Sequence, residues 1–107
     1  MMLNKKTKNK LDTFEQVYGY AMSLLNYRDY SSKDMLLKLK SKGASEEDAL
    51  KAVEKLLENR FINEEHYAQQ VFRAWLSKKT YGRQHLAMEL YRKNVAEECV
   101  PEIMAAF

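Results

Sequence analysis

A single cysteine, a single proline and three glycines in 107 residues leave this chain little that could cross-link it or interrupt its backbone. Cys99 has no internal partner, so no disulfide framework organises the fold, and a reducing, cytoplasmic setting is the expectation. No run approaches the roughly 18 consecutive apolar residues that a membrane-spanning helix needs. The opening residues carry Lys5, Lys6, Lys8 and Lys10 and lack the apolar stretch of a secretory signal. Histidine is scarce too: His66 and His85 lie a helix apart, with no cysteine or carboxylate at ligand spacing, so no metal site is expected. Cys99 sits beside Glu97 and Glu98, whose charge opposes thiolate formation, and reads as a small packing residue. Glycine-rich phosphate loops and nucleophile elbows are missing, and the glutamates gather where helices would begin. No catalytic residue and no cofactor is expected, and the chain does not read as an enzyme.

What remains abundant is Lys, Leu, Glu and Ala, a composition that favours helices. Thr13 followed by Gln16 has the form of a capping box, and Phe14, Val17, Tyr18, Ala21, Leu24 and Leu25 then follow helical spacing, which predicts a helix over 14–28. Ser31 or Ser32 caps a second helix around Met35, Leu36 and Leu39, and Gly43 supplies the left-handed residue that ends it. Ser45 caps a third, acidic in its first turn at Glu46, Glu47 and Asp48, with Ala49, Leu50, Val53, Leu56 and Leu57 as its buried stripe. The pattern then restarts. Asn63 caps a helix containing Tyr67, Ala68, Val71, Phe72, Trp75 and Leu76; Tyr81-Gly82 opens another around Leu86, Ala87, Leu90 and Tyr91; and Asn94 stands where Gly43 stood.

A shift of 51 residues superposes Leu24-Leu25 on Trp75-Leu76, Tyr30 on Tyr81, Met35 on Leu86, Leu39 on Leu90 and Glu46-Glu47 on Glu97-Glu98. Two copies of a three-helix unit explain this match. The predicted fold is therefore all-α, six helices in tandem three-helix repeats, with a flexible basic tail at 1–12, a first repeat at 13–60 and a second at 61–107. No segment alternates apolar and polar residues as a half-buried strand would. Pro101 falls early in the sixth helix and predicts that this helix is short, kinked, or begins at Val100. Trp75, matched by Leu24 in the other copy, reads as core. Tyr30 and Tyr81 read as packed under turns, and Tyr20, Tyr27 and Tyr91 are freer to face a partner.

Charge is segregated along the chain. Residues 28–42 hold five bases against two acids, residues 43–66 hold seven acids against three bases, and residues 73–93 hold six bases against Glu89 alone. Both copies thus concentrate base at the end of the first helix and on the second, and acid on the third. Such a stripe suits phosphates or an acidic protein surface.

The order Leu24-Leu25, Arg28-Asp29-Tyr30-Ser31, Met35-Leu36, Lys38-Leu39, Lys42-Gly43, then Leu57, Phe61-Ile62-Asn63-Glu64, Tyr67-Ala68 and Gly82 ahead of Leu90 resembles the RecX family, bacterial regulators of the RecA recombinase. The resemblance runs from about Ala21 to the C-terminus. It implies tandem three-helix repeats, no catalysis, and binding along the groove of the RecA–DNA filament. Strand exchange, ATP hydrolysis and the co-protease activity behind the SOS response would be limited there. It also implies weak affinity of its own for single- or double-stranded DNA. The residues expected at that contact are Arg28, Lys38, Arg73, Lys78, Lys79, Arg83 and Arg92. Most members of the family carry a third repeat, so the chain reads as a short member or a fragment. Lys33-Asp34-Met35 replaces the usual Glu-Leu of the second helix, and Asn94 replaces a glycine.

Two other readings fit a small helical chain with basic blocks. A helix-turn-helix regulator would place a polar recognition helix after a tight turn, and neither the second nor the fifth helix is clearly such a reader. A protein-only helical adaptor would bind through Trp75 or the tyrosines and resist salt, whereas phosphate binding weakens steeply as salt rises.

Overall fold

The computed structural model describes residues 11–78 and 82–107, so most of the tail expected at 1–12, together with Lys79 and Tyr81, lies outside the described residues. The described residues form six α-helices: α1 (Phe14–Leu25), α2 (Ser32–Ser41), α3 (Glu46–Glu58), α4 (Glu64–Leu76), α5 (Arg83–Arg92) and α6 (Val100–Ala106). A 3₁₀ turn, Glu97–Cys99, leads into α6. Among the described residues there is no strand, and the fold is all-α as the sequence predicts.

Single residues set the helix starts. Thr13 Oγ1 accepts the N–H of Gln16 while the Gln16 side chain accepts the N–H of Thr13, completing the capping box. Ser31, Ser45 and Asn63 each accept the N–H three residues on, and Ser31 rather than Ser32 is the cap of α2. Gly82 opens α5 without a side-chain cap.

Three helix ends share one device. After α2, the N–H of Ala44 donates to Leu39 O and that of Gly43 to Lys40 O, both at 3.1 Å. The same pair recurs after α5 from Val95 to Leu90 O and Asn94 to Tyr91 O, both at 3.0 Å. It recurs after α3 from Phe61 to Leu56 O and Arg60 to Leu57 O, at 2.9 and 3.1 Å. This closure requires a left-handed residue, supplied by Gly43 (φ 104°), Asn94 (φ 61°) and Arg60 (φ 63°). The first two match the sequence expectation, whereas nothing in the sequence pattern marks Arg60.

Two expectations are corrected. Helix α1 ends at Leu25, three residues before the predicted limit of 28, because Leu24 O accepts the N–H of both Tyr27 and Arg28, at 3.0 and 3.3 Å, and tightens the last turn. Several residues assigned to apolar stripes are also open to solvent: Leu50, Leu57 and Leu76 retain 48, 38 and 41% exposure. They lie at the edges of their stripes, where one helix pair cannot cover a full face. The difficulty posed by Pro101 resolves at Val100, where α6 begins. Proline then occupies the first positions of the helix, whose N–H groups have no intrahelical acceptor.

The helices pack into two groups, each with its own core. Val17, Ala21, Leu24, Tyr30, Met35, Leu39, Ala49, Ala52, Val53, Leu56 and Ile62 form one cluster, in which α3 lies against both α1 and α2. Tyr67, Ala68, Trp75, Leu86, Leu90, Val95, Cys99 and Ile103 form the other, with α5 and α6 against α4. Helices α2 and α5 have the same length and lie 51 residues apart at both ends. Met35, Leu86, Leu39 and Leu90 are all fully buried, each worth about 1.5–3 kcal/mol in transfer free energy. The body measures 55 × 29 × 21 Å, elongated because the two cores do not merge.

Candidate functional site

The two groups meet along a groove of about 290 Å³ lined by Arg28, Lys78 and Lys93 together with Gln70, Val71 and Ala74. Each cation stands just past a helix end, because each helix tightens there and frees the next side chain. Arg28 follows α1, Lys78 follows Ser77, the C-cap of α4, and Lys93 is itself the C-cap of α5. The Arg28 guanidinium lies 3.8 Å from the centroid of the Tyr30 ring, donates to Asp29 O at 2.9 Å, and reaches Asp34 Oδ2 from both terminal nitrogens at 3.4 Å. It is held in place while half its side chain remains open.

Glu89 lines the same groove. It is buried, and Arg92 Nη2 donates to both of its oxygens, at 2.9 and 3.2 Å. That hydrogen bond holds the Glu89 carboxyl below its ordinary pKa; burial opposes the shift, and the charges of Arg92, Lys78 and Lys93 support it. Tyr67 closes the opposite side. Its hydroxyl donates to Lys93 O at 2.7 Å, and burial first, then the Asp34 carboxylate, raises its pKa.

The residues expected at a partner contact do not form one cluster. Arg28 and Lys78 line the groove. Arg73 is exposed in the last turn of α4, and Lys38 is half-buried on α2. Arg92 is engaged by Glu89, and Arg83 donates to Met104 O at 2.9 Å, tying the start of α5 to α6. Lys79 lies outside the described residues. Lys93, absent from the expected set, completes the cationic wall; its only sequence signal is its place in the basic block 73–93.

Among the described residues, Tyr27 and Tyr91 are the most exposed large apolar side chains, at 86 and 80%. They precede Arg28 and Arg92-Lys93 in sequence. Tyr91 also belongs to a shallow depression of about 520 Å³ on α5 with Ala87 and Met88. Tyr30, by contrast, is buried, as its place under a turn predicts. Trp75 is core: it is 3% exposed, meets Phe107 edge-on at 5.1 Å between ring centroids, and donates from Nε1 to His85 Nδ1 at 2.9 Å.

Among the described residues, no three His, Cys, Asp or Glu side chains are grouped to hold a metal ion, and no helix is long and apolar enough to cross a membrane. Cys99 is buried. Burial first, then Glu98 and other nearby glutamates, raises its thiol pKa, which disfavours a nucleophilic role.

Comparison with known sequences adds a second line of observation. Residues 18–56 match the family model described as "RecX, first three-helix domain". This span takes in most of α1 and α3 and all of α2. Proteins named "Regulatory protein RecX" align over most of the chain. The one from Trichlorobacter lovleyi is 29% identical over 81% of this chain and 56% of its own length. That from Pelodictyon phaeoclathratiforme is 30% identical over 82% and 55%, and that from Vibrio parahaemolyticus is 32% identical over 79% and 54%. The chain therefore spans about half the length of these curated relatives.

Proposed function

We propose that the chain, which matches the first three-helix domain of RecX over residues 18–56 and aligns with proteins named as RecX regulators, is a non-enzymatic member of that family that binds the RecA–DNA filament and modulates, chiefly by inhibition, its recombination and SOS activities. The observation that carries the proposal is the groove between the helix groups, where Arg28 from one group and Lys78 and Lys93 from the other face a common space. Cations fixed on helix ends meet phosphates or acidic protein loops without first ordering long flexible segments. Contributions from both groups let one small body engage two points of a helical partner, which multiplies affinity. On this reading the two repeats, 13–60 and 61–107, act together. Arg73, Arg92, Lys38, Lys79 and Arg83 add to the basic charge that favours such a partner, and direct contact with single- or double-stranded DNA is weak by itself.

The test is co-sedimentation with RecA filaments on single-stranded DNA in the presence of nucleotide, beside DNA alone, while ATP hydrolysis is followed. Filament-dependent pelleting with slowed hydrolysis is expected, and both should be lost in an Arg28→Gln, Lys78→Gln, Lys93→Gln variant. A wild-type chain that leaves filaments and hydrolysis unchanged overturns the proposal.

A second reading rests on the α5 depression with Ala87, Met88 and Tyr91, which suits a protein-only adaptor. It predicts binding that survives high salt and is lost in Met88→Ala, Tyr91→Ala.

A further inference from the structure

The junction between the helix groups has no shared apolar cluster: the last residue of the first core is Ile62 and the first of the second is Tyr67. Polar side chains make the joint instead. Glu64, in the first turn of α4, accepts the N–H of Ser32 at 3.1 Å and the Ser32 hydroxyl through its other oxygen. Asp34, in the first turn of α2, accepts from Asn94 Nδ2 at 3.2 Å and faces the Tyr67 hydroxyl at 3.5 Å. Asp29 pairs with His66 at 3.6 Å at the edge. Residues up to 60 positions apart are thus joined by two carboxylates that are half-buried.

The joint is not duplicated within either copy of the repeat. Under the 51-residue shift Leu39 and Leu90 coincide, whereas each member of this joint differs from its counterpart, as most positions do. Ser32 stands opposite Arg83, Asp34 opposite His85, Glu64 opposite Thr13, and Asn94 opposite Gly43. In the second group the counterparts do other work, Arg83 holding Met104 O and His85 accepting from Trp75. A joint uses the forward face of one unit and the rear face of the next, so its residues need not agree between copies. Asn94 shows the distinction within one residue. Its left-handed backbone closes α5 as Gly43 closes α2, while its amide, which glycine lacks, reaches across to Asp34.

We propose that Ser32, Asp34, Glu64 and Asn94 form a polar clasp that fixes the angle between the two helix groups. We further propose that these are positioning residues which hold the cations of both groups on one groove. The functional half of this inference rests on the filament reading above; the structural half does not.

The test places spin labels at two exposed positions, Glu47→Cys in α3 and Gln84→Cys in α5, in a Cys99→Ala background, and measures the distance distribution by double electron–electron resonance. The clasp is broken by Asn94→Gly, which keeps the helix-ending turn, and separately by an Asp34→Ala, Glu64→Ala pair. Circular dichroism and Trp75 fluorescence verify that both groups stay folded. A single narrow distance is expected in the parent and a broadened one in both variants. Unchanged distributions in both overturn the clasp. Filament affinity, measured without labels, is expected to fall about tenfold in Asn94→Gly, the scale of one charge-assisted hydrogen bond, with the salt dependence unchanged because no cation is removed. Broadened distances with undiminished affinity overturn the positioning role. A parent that never binds filaments sinks the filament reading and leaves the clasp to be decided by the distances.

Discussion

Two cores joined by a few polar contacts should not melt as one. Leu39 and Leu90 occupy equivalent positions and are both fully buried, one in each cluster. Replacing either by Ala removes the same buried side chain and costs about 3–5 kcal/mol, counting the lost transfer energy and the cavity left behind. The coupling between groups is of comparable size and rests on polar contacts. It comprises the two hydrogen bonds to Glu64, the one from Asn94 to Asp34 and the longer one from Tyr67 to Asp34. At about 0.5–1.5 kcal/mol net for each, the four transmit about 2–6 kcal/mol in total. In Leu39→Ala, the first group should therefore unfold at lower denaturant while the second keeps most of its own stability. Trp75, the only tryptophan, lies in the second core and reports on that group alone. Urea titration of Leu39→Ala should show an early loss of roughly half the helical circular dichroism before Trp75 fluorescence changes, since α1, α2 and α3 hold about half the helical residues. In Leu90→Ala the order should reverse, with fluorescence moving first. If the two signals coincide in both variants and shift by equal amounts, the groups are one cooperative unit and the reasoning from separate cores is wrong.

Three further outcomes follow from the same structure. Gly43→Ala places a methyl where no atom lies within 4 Å, so its cost is backbone strain alone. About 1–2 kcal/mol should be lost in thermal or denaturant melts, and no loss would contradict the left-handed assignment. Glu89 has a folded pKa below its ordinary value, so its contribution is complete above that ordinary value and disappears as pH falls through the folded one. Glu89→Gln should therefore be less stable than wild type at neutral pH, with the gap closing in urea titrations as pH falls below the normal carboxylate range; a constant gap would remove the Arg92 interaction as the cause. Cys99, buried and with a raised thiol pKa, should react with a chromogenic disulfide reagent at pH 8 far more slowly in the native chain than in urea, and equal rates would place it on the surface.

Local chemistry made much of the fold legible. The caps at Thr13, Ser31, Ser45 and Asn63 act within three residues of themselves, and the turns at Gly43 and Asn94 need only a residue that tolerates positive φ. The 51-residue repeat carried the pairing of Leu39 with Leu90 because both copies solve one packing problem. Edges were less visible: Leu50 and Leu57 satisfy the helical period but sit where no neighbour covers them. The groove and its joint were the least legible, because they depend on residues 32 to 60 positions apart whose local patterns are ordinary. Asp34 reads as a first-turn acid and Asn94 as a turn residue, and both are so. Arg60 had no signal, since arginine is not a residue that usually ends a helix left-handed.

The turns at Gly43, Arg60 and Asn94 also bear on how the chain acquires its shape over time. Each helix end is closed by hydrogen bonds spanning no more than six residues, and each core draws on a short, unbroken stretch of sequence. Contacts of such short range place folding toward the fast end of the scale. The first core is complete in sequence once Ile62 has been synthesised, before any residue of the second is needed. A nascent chain emerging from the ribosome can therefore finish one helix group while the next is still being translated, and dock the second onto a surface already formed. A joint made of hydrogen bonds suits that order, because Ser32 and Asp34 remain hydrated while they wait for Glu64 and Asn94.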